Sequence, residues 1–103
     1  MAVAQDMMVE PYTKATGTTY TTNQNDVVIG CTNSGARTIS TTAADQIAGR
    51  QLVIKDENGN AGTNNITFDP AGAVTIDGAA TKAISTNYGS LKVYCDGTNW
   101  FSM

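Results

Sequence analysis

The stretch LVIKDENGNAGTNNITF, residues 52–68, decides the fold class of this chain. It begins with the apolar run Leu52-Val53-Ile54 and ends with the alternating segment Ile66-Thr67-Phe68, and both are rich in side chains that favour β-strands. Between them, Glu57-Asn58-Gly59-Asn60 supplies residues that tolerate a positive φ angle, so the chain can reverse there. Two strands that flank a turn are therefore predicted.

Strand and turn signals of the same kind recur along the chain at intervals of roughly ten residues, which is typical of an all-β sandwich or small barrel. The other predicted strands are residues 27–29, 38–40, 74–76 and 91–94. A single helical signal, residues 43–48, is too short to be stable alone. The sequence predicts an all-β fold, a small antiparallel β-sandwich or barrel-like domain spanning residues 23–103. Because runs such as Leu52-Val53-Ile54 place apolar side chains on both faces of a strand, we expect a homotrimer to cover the second face.

Residues 1–22 have a different composition from the rest of the chain. They are rich in Thr, are interrupted by Pro11 and hold too few apolar side chains to form a core of their own. We expect an extended N-terminal arm that a neighbouring protein holds in place, by strand addition to a sheet edge. The predicted apolar anchors of this arm are Met7, Met8, Val9, Tyr12 and Tyr20.

Composition argues against several classes of function. The chain of 103 residues has no His, which removes the catalytic dyads and metal sites that need imidazole, and we predict that it is not an enzyme. Its net charge is −3 and its six cations are scattered singly, so no basic face for nucleic acid is predicted. No apolar segment approaches the length of a membrane span, and we expect a soluble product of the cytosol with no membrane partner.

Three groups of residues resemble functional sites. Asp56 opens a stretch similar to a calcium loop, but Ala61 and Thr67 stand where that loop needs Gly and Glu, so we predict no metal and no cofactor. Cys31 and Cys95 are predicted to be reduced, buried thiols. Aromatic residues near the end of the chain could stack a sugar or a base, with Tyr88 and Trp100 as the candidates for a sugar, but core or subunit interface is the commoner use of such residues. The predicted interface residues are Leu52, Ile54, Tyr88, Tyr94, Trp100 and Phe101.

From Ile47 onward the chain resembles a β module found in structural proteins of tailed bacteriophages. Four motifs carry the resemblance, in order: residues 47–56 (IAGRQLVIKD), 59–67 (GNAGTNNIT), 75–78 (TIDG), and Tyr88-Gly89-Ser90 leading to Cys95-Asp96-Gly97-Thr98-Asn99-Trp100. In tail fibres and tailspikes this module is a repeated or terminal β unit of a homotrimer, and related pieces occur in capsid decoration proteins. The resemblance therefore implies a virion protein that is made in the host cytoplasm.

The length of the chain helps to distinguish between its possible locations in the virion. A fibre needs a long shaft, and this chain has neither heptads nor internal repeats. We therefore expect a trimeric decoration or cement protein that binds the major capsid protein on the outer capsid surface and stabilises the head. The alternatives are a small tail or fibre-associated adhesin, or a carbohydrate-binding β module.

Overall fold

The computed structural model describes residues 9–32 and 35–103 of the chain. Nine strands and one short 3₁₀ helix lie in this part, in the order β1 (Tyr12–Ala15), β2 (Thr19–Thr21), β3 (Val28–Cys31), β4 (Arg37–Ser40), η1 (Ala43–Asp45), β5 (Gln51–Asp56), β6 (Ile66–Asp69), β7 (Lys82–Ile84), β8 (Ser90–Cys95) and β9 (Trp100–Ser102). The prediction of an all-β sandwich is confirmed. No helix in the described ranges is long and apolar enough to cross a membrane.

The strands form two sheets that pack face to face. Sheet A has the order β1-β3-β5-β8-β9, and sheet B has the order β2-β4-β6-β7. Each of the first three strands of sheet A is followed along the chain by a strand of sheet B, so the chain makes three successive coils. We call these the first coil (β1 and β2), the second coil (β3 and β4) and the third coil (β5 and β6).

Strand direction corrects the antiparallel prediction. Within each sheet the three coils pair in parallel, and only the pairs β5–β8, β6–β7 and β8–β9 are antiparallel. Alternation of apolar residues identifies strands but carries no information about direction. The turn at Asn58-Gly59 leads from sheet A to sheet B and is not a hairpin, whereas the turn at Asp96-Gly97 joins two antiparallel neighbours, β8 and β9.

The core lies between the two sheets and follows the strand alternation. In β5, Leu52 and Ile54 point inward while Val53 lies on the outer face and is half-buried. Across the core, the ring of Phe68 from sheet B meets that of Trp100 from sheet A edge to face, with centroids 5.5 Å apart. This geometry suits the charge distribution of aromatic rings and adds to the apolar burial.

The N-terminal strands of the structure contradict the predicted extended arm. β1 pairs with β3 in the register Tyr12 to Val28, and β2 pairs with β4 in the register Thr19 to Thr38. Within residues 12–21, β1 therefore belongs to sheet A and β2 belongs to sheet B. The predicted boundary between an arm of residues 1–22 and a domain of residues 23–103 does not hold for these residues. Backbone hydrogen bonds to β3 and β4 hold this segment in place, which its few apolar side chains do not predict. Met7 and Met8 lie outside the described residues.

The loops gather at the two ends of the sandwich. The Asp56 end holds loops 16–18, 57–65 and 85–89 together with Thr32 and residues 35–36, and the Asp45 end holds loops 22–27, 41–50, 70–81 and 96–99. Both cysteines are buried and free, as predicted. Cys31 pairs with Asp56 at one end of β5, and Cys95 bonds to Arg50 at the other, so roughly 20 Å of strand separates them. That distance excludes a disulfide within one chain.

Candidate functional site

The predicted interface residues divide into two groups. Leu52, Ile54 and Trp100 are completely buried in the core of the single chain. Their prediction as subunit contacts is therefore wrong, because a side chain with no exposed surface offers nothing to a partner. The same burial removes Trp100 as a platform for sugar. Tyr88 and Tyr94 are exposed, at 61% and 38% of their surface.

The predicted arm anchors that the structure describes also differ from one another. Val9 is 85% exposed and Tyr12 is 51% exposed, so both present apolar surface to solvent. Tyr20 instead packs against the core, and its hydroxyl donates to Asp26 Oδ2 at 2.7 Å. Burial and this hydrogen bond both raise the pKa of Tyr20. Tyr20 thus stabilises the first coil from inside.

A buried carboxylate organises the Asp56 end. Asp56 lies at the end of β5 with no exposed surface, and its two oxygens accept hydrogen bonds from four backbone N–H groups at 2.9 to 3.0 Å. Three donors belong to the loop that follows β5, at Asn58, Gly59 and Ala61, and the fourth is Tyr88 in the loop before β8. Asp56 therefore fastens two loops together. The first residue of the calcium-like stretch has its carboxylate turned inward and occupied by the backbone.

Asp56 also faces the buried cation Arg37. Arg37 Nη2 lies 3.5 Å from Asp56 Oδ1, and Arg37 Nη1 donates to the carbonyl oxygen of Gly35 at 2.7 Å. Burial raises the pKa of Asp56, but the backbone donors outweigh it and hold the pKa below its ordinary value. Burial likewise raises the pKa of the neighbouring Cys31 thiol. Asp56 is thus an ionised structural anchor.

Above this anchor, Tyr88 is exposed but held in place. Its φ angle is 61°, a left-handed conformation that is uncommon for any residue other than Gly. The Tyr88 N–H donates to Asp56, and the Tyr88 carbonyl oxygen accepts a hydrogen bond from Lys55 Nζ. The ring lies directly over Gly59, where a Cβ atom would come within 2.5 Å of ring carbon Cζ. Its position is therefore fixed by backbone contacts on both sides of the residue.

A second exposed tyrosine is fixed on the outer face of sheet A. The Tyr12 hydroxyl donates to Glu57 Oε1 at 2.7 Å, and this bond is the main reason that the pKa of Tyr12 is raised. The Glu57 side chain reaches Tyr12 by lying across Gly30, where a Cβ atom would come within 2.3 Å of the Glu57 carboxyl group. Gly30 is paired with Lys55 in the neighbouring strand. The contact between Tyr12 and Glu57 thus crosses β3 on the outer face of sheet A, from the row of Val28 toward the Asp56 end.

The other loops are fixed by aspartates in the same way. At the Asp45 end, Asp45 accepts hydrogen bonds from Thr22, Thr42 and Arg50, and Asp26 accepts them from Thr13, Tyr20 and Asn23. Both are buried, and their donors lower the pKa of each despite the opposing effect of burial. Only partners that are close in sequence, such as Thr42 and Asp45, can be recognised from a local pattern. The contact between Thr22 and Asp45 cannot, because these residues are 23 positions apart. No group of three or more possible metal-binding side chains occurs in the part of the chain that the structure describes.

The sandwich, its parallel coils and its aspartate-fixed loops define a small structural β module. Residues 10–101 match the family model of the phage depolymerase C-terminal beta sandwich domain, and the chain belongs to this family. The resemblance to β modules of tailed-phage virion proteins is therefore confirmed, and the chain is a tail-associated or tailspike-associated structural module. In phage depolymerases this C-terminal sandwich is a non-catalytic part. No curated protein matches the chain.

Proposed function

We propose that the chain is a non-catalytic module of a phage tail fibre or tailspike and that it terminates a parallel β stack there. Membership of a family of C-terminal sandwich domains supports a place on the tail. The observation that carries the terminating role is a difference between the two edges of sheet A. One edge is open to further parallel pairing, and the other is covered by the chain itself.

The open edge belongs to the first coil. β1 and β2 are the outermost strands of sheets A and B, and both lie on the same side of the molecule. Toward β3 and β4, the carbonyl oxygens of Pro11, Ala15 and Thr18 accept backbone hydrogen bonds. Because successive residues of a strand direct their N–H and C=O groups to opposite edges, Tyr12, Lys14, Thr19 and Thr21 direct theirs outward. No other strand among residues 9–32 and 35–103 pairs with this side.

The opposite edge of sheet A is closed by residues 75–77. Trp100 N–H donates to the carbonyl oxygen of Thr75, and Asp77 N–H donates to the carbonyl oxygen of Trp100. The Asp77 carboxylate accepts hydrogen bonds from the Ser102 N–H and hydroxyl groups. The N–H and C=O groups of Trp100 and the N–H group of Ser102, which β9 would present to another strand, are thus satisfied within the chain. Natural sheets protect their edges in this way against unwanted pairing.

These two edges fit a terminal unit of a stack. In proteins built from stacked coils each coil contacts only its neighbours, and the last one needs a closed outer side. A further coil of extended polypeptide that pairs with the first coil would supply hydrogen-bond partners to the backbone groups of four outward-facing residues, two in each sheet. We propose that this coil belongs to the shaft of the tail protein.

We also propose a homotrimer, in which the subunits meet on the outer face of sheet A. Tyr94 and Phe101 form a ring pair there with centroids 5.7 Å apart, and Val53 lies half-buried on the same face. An exposed aromatic and aliphatic patch of this kind is typical of a subunit contact. Light scattering of the purified chain is expected to give a mass near three times 10.8 kDa, and a monomeric mass at micromolar concentration would contradict the trimer.

The place in the virion is tested by immunogold labelling of phage particles. Label on the tail fibres or spikes is expected. Label spread over the capsid would instead support the decoration protein that binds the major capsid protein, which the family match favours less than the tail-associated alternative.

The stacking is tested by hydrogen exchange of backbone amides. In the purified chain, the amides of Lys14 and Thr21 are expected to exchange fast because they point outward, while that of Ile54 in the central strand is expected to exchange slowly. In purified tails, Lys14 and Thr21 are expected to become protected. Fast exchange of both in assembled tails would refute the stacking and leave the tail location intact.

A further inference from the structure

We propose that Asn58 is a site of spontaneous deamidation that the fold keeps unreactive, and that opening of the loop after β5 starts the modification. The reactive unit is Asn58-Gly59, the one Asn-Gly pair in the sequence. This inference concerns the chemical lifetime of the chain. It goes beyond the structural role proposed above and does not depend on the tail location.

The chemistry of an Asn-Gly pair makes this site reactive in an unfolded chain. Deamidation begins when the backbone nitrogen of Gly59 gives its proton to water or hydroxide and attacks Cγ of Asn58. A five-membered succinimide ring forms and ammonia leaves, and water then opens the ring to aspartate or isoaspartate. Because Gly has no Cβ atom, it hinders this ring closure less than any other residue. An unfolded chain is therefore expected to react here first.

In the folded chain, the attacking nitrogen is held by a hydrogen bond. The N–H groups of Gly59 and Asn58 both donate to Asp56 Oδ1, each at 3.0 Å. Asp56 is a buried, ionised carboxylate, so removal of the Gly59 proton would place a second negative charge beside the first, which disfavours the nucleophile. The attack also requires the peptide group between Asn58 and Gly59 to turn and give up this hydrogen bond.

Tyr88 restricts the same peptide group. Its ring covers Gly59, where a Cβ atom would come within 2.5 Å of ring carbon Cζ. The Tyr88 N–H donates to Asp56 at 2.9 Å, so the ring is fixed by the carboxylate that also binds Gly59. Asn58 itself is exposed, and water can reach its side chain. The protection therefore comes from the fixed backbone of the loop and not from burial of the amide.

The modification prevents the loop from closing again in the same way. Isoaspartate lengthens the main chain by one methylene group between positions 58 and 59, which shifts Gly59 relative to both Asp56 and the Tyr88 ring. Aspartate adds a second carboxylate two residues from Asp56. Opening of this loop is thus reversible only until the reaction occurs, and the Asp56 contacts set how often the loop opens.

The test compares two Asn-Gly pairs in one molecule. Ala71→Asn places a second pair at Gly72, whose φ angle of 67° is close to the 77° of Gly59. A Cβ atom on Gly72 would meet nothing within 4 Å, and its N–H donates to no backbone acceptor among the described residues. The variant is incubated at mildly alkaline pH, and tandem mass spectrometry locates each replacement of NH₂ by OH. We expect Asn58 to react at least about tenfold more slowly than the introduced pair.

Tyr88→Gly tests the part played by the ring. The substitution removes the ring and suits the left-handed backbone at this position, where φ is 61°. We expect the deamidation rate of Asn58 to rise several fold in this variant, and circular dichroism establishes that it is folded. An unchanged rate would contradict the protection assigned to the ring.

The Ala71→Asn variant in denaturant is the control for local sequence. There the two pairs are expected to react at similar rates, because neither loop is formed. Equal rates in the folded variant would refute the proposal. A difference that persisted in denaturant would also refute it, since local sequence would then set the rates. Either result would leave the tail location standing, because immunogold labelling decides that separately.

Discussion

Replacing Asp56 by Asn tests the central claim about this fold, that buried carboxylates fix its loops. The substitution keeps the size of the side chain and removes its charge. Arg37 then loses its counter-ion in the core, and an amide NH₂ group replaces one of the oxygens that accept from the backbone. Breaking a buried ion pair in this way costs about 3–5 kcal/mol. A domain of this size has a total stability of about 5–15 kcal/mol, so the loss is a large fraction of it.

The assay is urea unfolding followed by circular dichroism. We expect the Asp56→Asn variant to lose about 3–5 kcal/mol and to melt roughly 15–20 °C below the parent chain. Asp69→Asn is the matched control. Asp69 also lies at the end of a strand, but its carboxylate accepts no hydrogen bond from the described residues, so a change within about 0.5 kcal/mol is expected.

A double-mutant cycle separates the ion pair from the backbone contacts. If Arg37→Met is added to Asp56→Asn, the unpaired cation is removed, and we expect part of the lost stability to return, with a coupling energy of about 1–3 kcal/mol. A loss below about 1 kcal/mol for Asp56→Asn, similar to that of Asp69→Asn, would refute the reasoning. It would mean that the four N–H donors find water or other acceptors at little cost.

Three further outcomes follow from the structure. The free energy of unfolding is expected to stay nearly constant from pH 7 to about pH 5 and to fall at lower pH. The reason is that the pKa values of the loop aspartates are lowered in the folded state, so the unfolded state takes up protons first. Measuring the free energy of unfolding at a series of acid pH values tests this, and a rise in stability toward low pH would contradict it. Cys31 and Cys95 are expected to resist a thiol reagent in the native chain and to react fully in denaturant, and rapid native labelling would contradict their burial. Gly59→Ala is expected to lower the melting temperature by several degrees, because a Cβ atom there meets the Tyr88 ring at a φ angle of 77°, and an unchanged melting temperature would contradict that packing.

Apolar patterning predicted the central strands well and the outer ones poorly. β3, β4, β5, β6 and β8 lie where runs of β-branched residues stand, because burial between two sheets selects such residues. β1, β2 and β9 are short edge strands whose order comes from backbone pairing with a neighbour, which local composition does not reveal. The predicted strand at residues 74–76 is reduced to two isolated bridges at Ile76, one to Ala79 and one to Trp100, since this segment closes the edge of β9.

The candidate site was predicted only in part, for a related reason. The sequence predicted Tyr88 and Trp100 alike as candidates for sugar binding or a subunit interface, because residue type alone does not separate the exposed Tyr88 from the buried Trp100. Glu57 and Gly30 gave no signal, because their contact joins two strands that are adjacent only in the parallel sheet. The parallel order of the coils pairs residues that are 16 to 29 positions apart, beyond the reach of any local pattern.

The parallel coils also explain why buried carboxylates hold the loops of this fold. In an antiparallel meander a tight turn fixes each pair of strands, and the loops need few other contacts. Here every connection from β1 to β6 crosses from one sheet to the other, so its two ends lie in opposite layers and its backbone groups have no partner strand. The buried carboxylates of Asp26, Asp45 and Asp56 supply acceptors to these loops at both ends of the sandwich. The rigidity that Asp56 imparts to the loop of Tyr88 is therefore a requirement of the fold.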